Sequence, residues 1–192
     1  MECRWFVIRA VCLLMAGAVW AAPNTPLRIM PLGDSITYGT DPNDGKAGGY
    51  RAPLRKLLTD AGYSVDYVGT ITTNPGDLTD VEHEGHRGWC IADNGSRSGL
   101  YEYMATAFST VLDPHIVLLH IGTNDTGNDS FKTAIDRWDL LIDRIAEMQP
   151  SAHIIATTIL NRSAASNQTQ IETYFNPYVE ERVAAPRAPR AS

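Results

Sequence analysis

The run His115-Ile-Val-Leu-Leu-His-Ile121, opened by Asp113-Pro114, constrains the fold more than any other segment. Seven residues without polar alternation suit a central strand covered on both faces, and such a strand requires helices above and below the sheet. The neighbouring segments supply them. Phe131, Ile135, Trp138, Leu141, Ile142, Ile145 and Met148 recur at three- and four-residue steps, with Asp129 or Ser130 as cap and Pro150 as terminator. Upstream, Leu27 to Leu32 reads as a first strand. Tyr50 to Ala61 reads as a helix through Leu54, Leu57, Leu58 and Ala61, and Gly62 stands where a left-handed residue ends it. Val65 to Gly69 and His153 to Ile159 read as further strands. This alternation predicts an α/β fold of three layers, α/β/α, on a parallel sheet. Beyond Ile159, Asn161 to Gln168 is a polar loop, and Gln170 to Ala185 is a helix with Pro177 near its first turns. No internal repeat is present.

With 192 residues, 44% of them hydrophobic and 20% charged, the chain has enough material for one core without disulfide staples. The formal charge of -6 has the wrong sign for a phosphate-binding surface, which argues against nucleic acid as a partner. Residues 1–22 have the pattern of a secretory signal peptide: Arg4 and Arg9, then the apolar run Ala10 to Val19, then small residues offering cleavage after Ala21 or Ala22. A retained amino-terminal anchor is the alternative. The run is too short for a bilayer-spanning helix of about 20 residues, so after cleavage no membrane association is expected. The product would be secreted, extracellular or periplasmic, with one folded domain over residues 23–185 and a disordered tail over residues 186–192. Cleavage leaves Cys90 as the sole cysteine, which reads as a small buried apolar residue.

In open parallel sheets the ligand site lies beyond the carboxyl ends of the strands. Three such places carry notable chemistry. Pro31-Leu-Gly-Asp-Ser-Ile-Thr37 follows the first strand, a loop containing His83-Glu-Gly-His-Arg-Gly-Trp89 follows the second, and Gly122-Thr-Asn-Asp125 follows the central one. Each taken singly is an ordinary turn or cap.

Together they resemble the three blocks of the SGNH, or GDSL-like, hydrolases, a family of esterases and acyl hydrolases. The resemblance runs from Leu27 to Ala185 and implies a flavodoxin-like α/β/α sheet. Arg28 through Ser35, Gly48-Gly-Tyr-Arg and His83-Glu-Gly-His are further similar to the carbohydrate esterases that deacetylate xylan. The resemblance implies Ser35 as nucleophile, with the oxyanion held by the backbone N–H of Ser35, the backbone N–H of Gly88 and the side chain of Asn124. Asp34, His86 and Trp89 would meet substrate, although Asp34 and Asp125 also suit turn-fastening roles. No cofactor or metal is implied. The expected partner is an acylated carbohydrate or another small ester, and nothing in the sequence sets the oligomeric state.

The family's base sits in a carboxyl-terminal Asp-x-x-His block after a last strand. The five histidines here are at 83, 86, 115, 120 and 153, so that block and the last strand are missing from the match. The expectation is a truncated ester hydrolase with weak or no activity, or alternatively a non-catalytic carbohydrate- or ester-binding relative. Asp80-Val-Glu-His83 has the right spacing for a substitute base. His83-Glu-Gly-His86 invites a metal reading but lacks the i, i+4 helical pair of a zinc hydrolase.

Overall fold

The computed structural model describes residues 25–39, 48–73, 76–110, 113–125, 131–160 and 165–184. The segment read as a signal peptide, the expected tail and the cap at Asp129 or Ser130 lie outside these residues. β1 (Leu27–Gly33) runs through the middle of a parallel sheet. It pairs on one side with β4 (Ile116–His120) and on the other with β2 (Val65–Tyr67), and beyond β2 with the two-residue β3 (Glu84–Gly85). β5 (His153–Ala156) extends the sheet past β4, giving the order β2-β1-β4-β5.

The strand period of two assigns alternate residues to opposite faces. Met30, Leu32, Val117 and Leu119 point to one face and are buried. They pack beneath α3 (Leu100–Thr110), α4 (Phe131–Met148) and the carboxyl-terminal helical segments. Ile29, Val65 and Tyr67 form a second, smaller cluster on the other face, which also takes in Leu58 of α2 (Arg51–Asp60). A parallel sheet between helices is the three-layer architecture expected.

The expectation that β4 is fully covered on both faces is corrected. Val117 and Leu119 are buried, while Ile116 and Leu118 are half-buried and Ile155 of β5 is 45% exposed. The ten-residue α2 packs at the β2 side of that face, and no described helix covers the β5 side.

Three further features depart from the sequence reading. α3 was not anticipated, although Leu100, Met104, Ala107 and Phe108 form its buried stripe at helical spacing. β5 ends at Ala156, three residues earlier than expected, and Ile159 is held by a side chain. Asn176 accepts from Ile159 N and donates to Ile159 O, each at 3.0 Å. The last helix begins inside the expected polar loop, as α5 (Ala165–Gln170), a π-helical turn (Ile171–Phe175) and α6 (Asn176–Ala184). Pro177 lacks the N–H that an unbroken α-helix would use at that point. The wider turn just before it, closed by Asn176 N–H to Ile171 O, lets the helix continue with its buried stripe of Ile171, Phe175 and Val179 intact. Cys90 is a buried core residue that forms no disulfide among the described residues.

Candidate active site

Gly33 ends β1 between Gly85 of β3 and His120 of β4. Because parallel strands bring their carboxyl ends to one edge, the loops after β1, β3 and β4 share a rim. The packing there is tight: a Cβ on Gly33 would stand 2.1 Å from His120 O and 2.4 Å from Thr37 Oγ1. Only glycine allows that approach.

Asp34 caps the single turn α1 (Ser35–Tyr38) by accepting from Ile36 N at 2.9 Å, and Gly39 closes it in the left-handed region. Ser35 thus occupies the first position of a helical turn. Its backbone N–H has no intrahelical acceptor there. Asp34 has no exposed surface, so its expected contact with substrate is corrected: a carboxylate this deep fastens the turn. The turn is held from below by Arg51, which is also fully buried. Its guanidinium donates to the carbonyls of Thr37 (3.1 Å), Tyr38 (3.2 Å) and Val81 (3.3 Å).

The second segment is tied to the first by His86 N, which donates to Gly33 O at 2.8 Å. His83 is buried, and its Nδ1 accepts from Gly85 N at 3.0 Å, so its proton is on Nε2 and goes to Thr73 O at 2.8 Å. Burial pushes His83 down to about 4, against opposition from the Thr73 carbonyl. Asp80 accepts from Arg55 Nε and from Tyr67 N, at 3.0 and 2.8 Å, and is spent on the framework. The reading of Asp80 and His83 as a substitute base is therefore overturned. His86 instead pairs through Nε2 with the fully buried Glu84 at 3.0 Å, and Glu84 also accepts from Thr70 N. The imidazole stacks on Trp89 with centroids 4.0 Å apart, and Tyr103 of α3 stands edge-on to both rings.

The third segment straps the second. Asn124 Nδ2 donates to Trp89 O at 2.7 Å, and both carboxylate oxygens of the buried Asp125 accept from Ile91 N at 3.1 Å. Gly88 lies in the left-handed region at φ 76°, and a Cβ there would meet only Arg97 Nη1, at 3.5 Å. Conformation, not crowding, calls for glycine at this position. Beside it, Arg87, Gly88, Trp89, Ser96, Arg97 and Ser98 line an open cleft of about 600 Å³.

The structure thus joins Asn124 to the Gly88-Trp89 segment and that segment to Gly33, two residues before Ser35. Sequence reasoning missed Arg51, Glu84 and Tyr103. The first two stand inside motifs it had singled out, but an isolated charge gives no sign of being buried until the fold surrounds it.

The neutral, buried state of His83 has a consequence for stability. Unfolded, His83 protonates near 6.5; folded, it resists protonation until about 4. Between these values the unfolded chain binds more protons, so stability rises with pH across this window and is lost as pH falls through it. A shift of this size is worth about 3 kcal/mol. Burial also holds His120 down, in the same sense. The melting temperature is expected to drop steeply from pH 6.5 to 4 and to drop less in a folded His83→Gln variant. An equal slope in both would refute the assignment.

Residues 32–187 match the GDSL-like lipase/acylhydrolase family. The chain belongs to that family. It is 34% identical over 168 residues to a multidomain esterase of Ruminococcus flavefaciens, an alignment covering 79% of this chain and 21% of that protein. The chain therefore spans about a fifth of the length of that relative. Among solved structures it is similar to the family 3 carbohydrate esterase of Clostridium thermocellum, with TM-score 0.61, 28% identity and coverage of 83% of this chain and 73% of that one. A carbohydrate esterase family 3 protein from Talaromyces cellulolyticus aligns with TM-score 0.60 and 25% identity, covering 81% and 73%.

Proposed function

We propose that this chain is a secreted serine ester hydrolase that removes acetyl groups from a carbohydrate. Ser35 Oγ attacks the ester carbonyl, the sugar hydroxyl departs with a proton, and water then releases acetate from the acylated serine. The charge that develops on the carbonyl oxygen is met by Ser35 N–H, Gly88 N–H and Asn124 Nδ2. One observation carries this reading. Asn124 spends one amide hydrogen on Trp89 O, the carbonyl of the residue after Gly88, and so fixes its second hydrogen at the same rim. Neither Ser35 N–H nor Gly88 N–H donates to an acceptor among the described residues, which leaves both donors for a ligand. His86 and Trp89 form the wall of the site, with buried Glu84 holding the imidazole in place.

Turnover by the 192-residue chain is weak in this reading. Among the described residues none of the five histidines bonds to the Ser35 hydroxyl. His83 and His86 are committed as described, and His115 Nδ1 accepts from Arg28 N. His120 is enclosed at the end of β4, and His153 is exposed at the start of β5. The same observation favours a second reading, a carbohydrate- or ester-binding relative without turnover.

The deciding experiment follows acetate release from acetylated xylan and from an aryl acetate. Slow release that falls by about 10²-fold or more in Ser35→Ala, while persisting in a folded His83→Gln variant, is the expected result. Release unaffected by Ser35→Ala would overturn the proposal. Saturable binding of acetylated xylan without any release would favour the second reading.

A further inference from the structure

The cleft beside Gly88 is basic, although the chain as a whole carries a formal charge of -6. Arg87 and Arg97 are both among its lining residues. Arg97 donates from Nη1 to Gly88 O at 3.1 Å, which spends one of its five N–H groups. The loop that carries it is internally braced: Asn94 Oδ1 accepts from Ser96 N at 3.1 Å and from Arg97 N at 2.9 Å, and Asp93 Oδ1 accepts from Gly95 N at 2.7 Å. Arg87 stands over the ring of Tyr38, 5.7 Å from its centre, and Tyr38 is the last residue of the turn that Ser35 opens. Asp93, in the same loop, accepts from Gly95 N as above, and Glu102 accepts from Asp93 N at 2.9 Å. No ion pair is made by Arg87 or Arg97 among the described residues.

Two arginines that make no ion pair among the described residues, in one cleft on an acidic protein, attract an anion. A guanidinium fork matches the planar geometry of a carboxylate better than a lysine would. Trp89 in the same wall adds an apolar surface suited to the body of a sugar ring. We propose that the Arg87/Arg97 cleft binds a carboxylate carried by the sugar chain of the substrate. The preferred substrates are then acetylated polysaccharides that bear uronic acid residues near the acetylated position. This inference rests on the ester hydrolase reading above and names its substrate class.

The test measures equilibrium binding of acetylated glucuronoxylan oligosaccharides, and of the same oligosaccharides after chemical reduction of their carboxyl groups to alcohols. Tryptophan fluorescence or calorimetry provides the readout, at low and at moderate salt. The uronate form is expected to bind about tenfold more tightly at low salt, with the preference shrinking as salt rises. The preference should fall in Arg87→Ala, which leaves the Arg97 anchor on Gly88 in place, and vanish in the double Arg87→Ala/Arg97→Ala variant, with circular dichroism verifying the fold. Equal affinity for the two forms overturns the proposal. An aryl succinate preferred over an aryl acetate, without a uronate preference, assigns the carboxylate to the acyl group and also overturns it. The two readings can fail separately. Equal affinities with Ser35-dependent acetate release sink the carboxylate site alone. An arginine-dependent uronate preference with acetate release indifferent to Ser35→Ala sinks the hydrolase reading alone.

Discussion

Extending this chain at its carboxyl end with one further β-strand and an Asp-x-x-His segment is expected to raise kcat on an aryl acetate by about 10²- to 10⁴-fold, the usual contribution of a positioned general base. In the reading proposed above, no described histidine is bonded to the Ser35 hydroxyl, and the proposed oxyanion donors alone would leave a smaller residual rate. The sheet has a place for the strand. β5 ends the strand order and pairs only with β4 among the described residues, so its outer edge has N–H and C=O groups available for another partner. The half-covered face over Ile116, Leu118 and Ile155 would gain apolar contacts from whatever follows such a strand. The measurement is kcat/KM for the extended and the 192-residue proteins, beside an extended protein with the added histidine changed to glutamine. A gain kept by the glutamine control would mean that stabilisation, not proton transfer, was limiting. No gain at all in a folded extended protein would place the base elsewhere.

Arg51→Ala is expected to destabilise the fold by about 3 kcal/mol or more, because it strands three carbonyls at once. Removing one partner from a buried hydrogen bond costs about 1–3 kcal/mol for the group left behind, and the vacated space admits some water that recovers part of this. Two of the three carbonyls, Thr37 O and Tyr38 O, belong to the turn that begins with Ser35. The loss should therefore appear in the site as well as in stability, as reduced Ser35-dependent turnover in the variant that remains folded. Arg51→Lys is expected to recover only a minor part, since an ammonium cannot address carbonyls spread over a guanidinium's width. Tyr67 sits against the same place, donating to Arg51 O at 2.8 Å, so the helix α2 and strand β2 feel the change together. Urea unfolding of the three proteins decides the matter. A loss below about 1 kcal/mol for Arg51→Ala would mean that the carbonyls are not dependent on the guanidinium.

Elements with a long period were legible in the sequence. Helix α4 matches its reading at both ends, because eighteen residues repeat one stripe five times over, and β1 and α2 follow their own patterns to within about a residue. The stripe of α3, with Leu100, Met104, Ala107 and Phe108 at helical spacing, is equally present in the sequence. β3 is different. Two residues cannot display a period, and Glu84-Gly85 is a strand only because β1 outlasts β2 and leaves a stretch of its edge to be paired.

What the sequence by itself determined were the chemical identities at the strand ends: a hydroxyl after Gly-Asp, a glycine before Trp89, an amide in Gly-Thr-Asn-Asp. These follow from residue type, and residue type is local. Which histidine is neutral, which carboxylate is buried and which arginine lines a cleft were decided only by the tertiary structure. His83 and His86 are three residues apart, yet one is closed between Thr73 O and Gly85 N while the other stacks on Trp89 and pairs with Glu84. Arg51 is sealed under the Ser35 turn, whereas Arg87 and Arg97 face a cleft. The physical reason is that a side chain's charge and hydrogen-bonding state depend on the water it keeps, and how much water it keeps is set by segments distant in the chain.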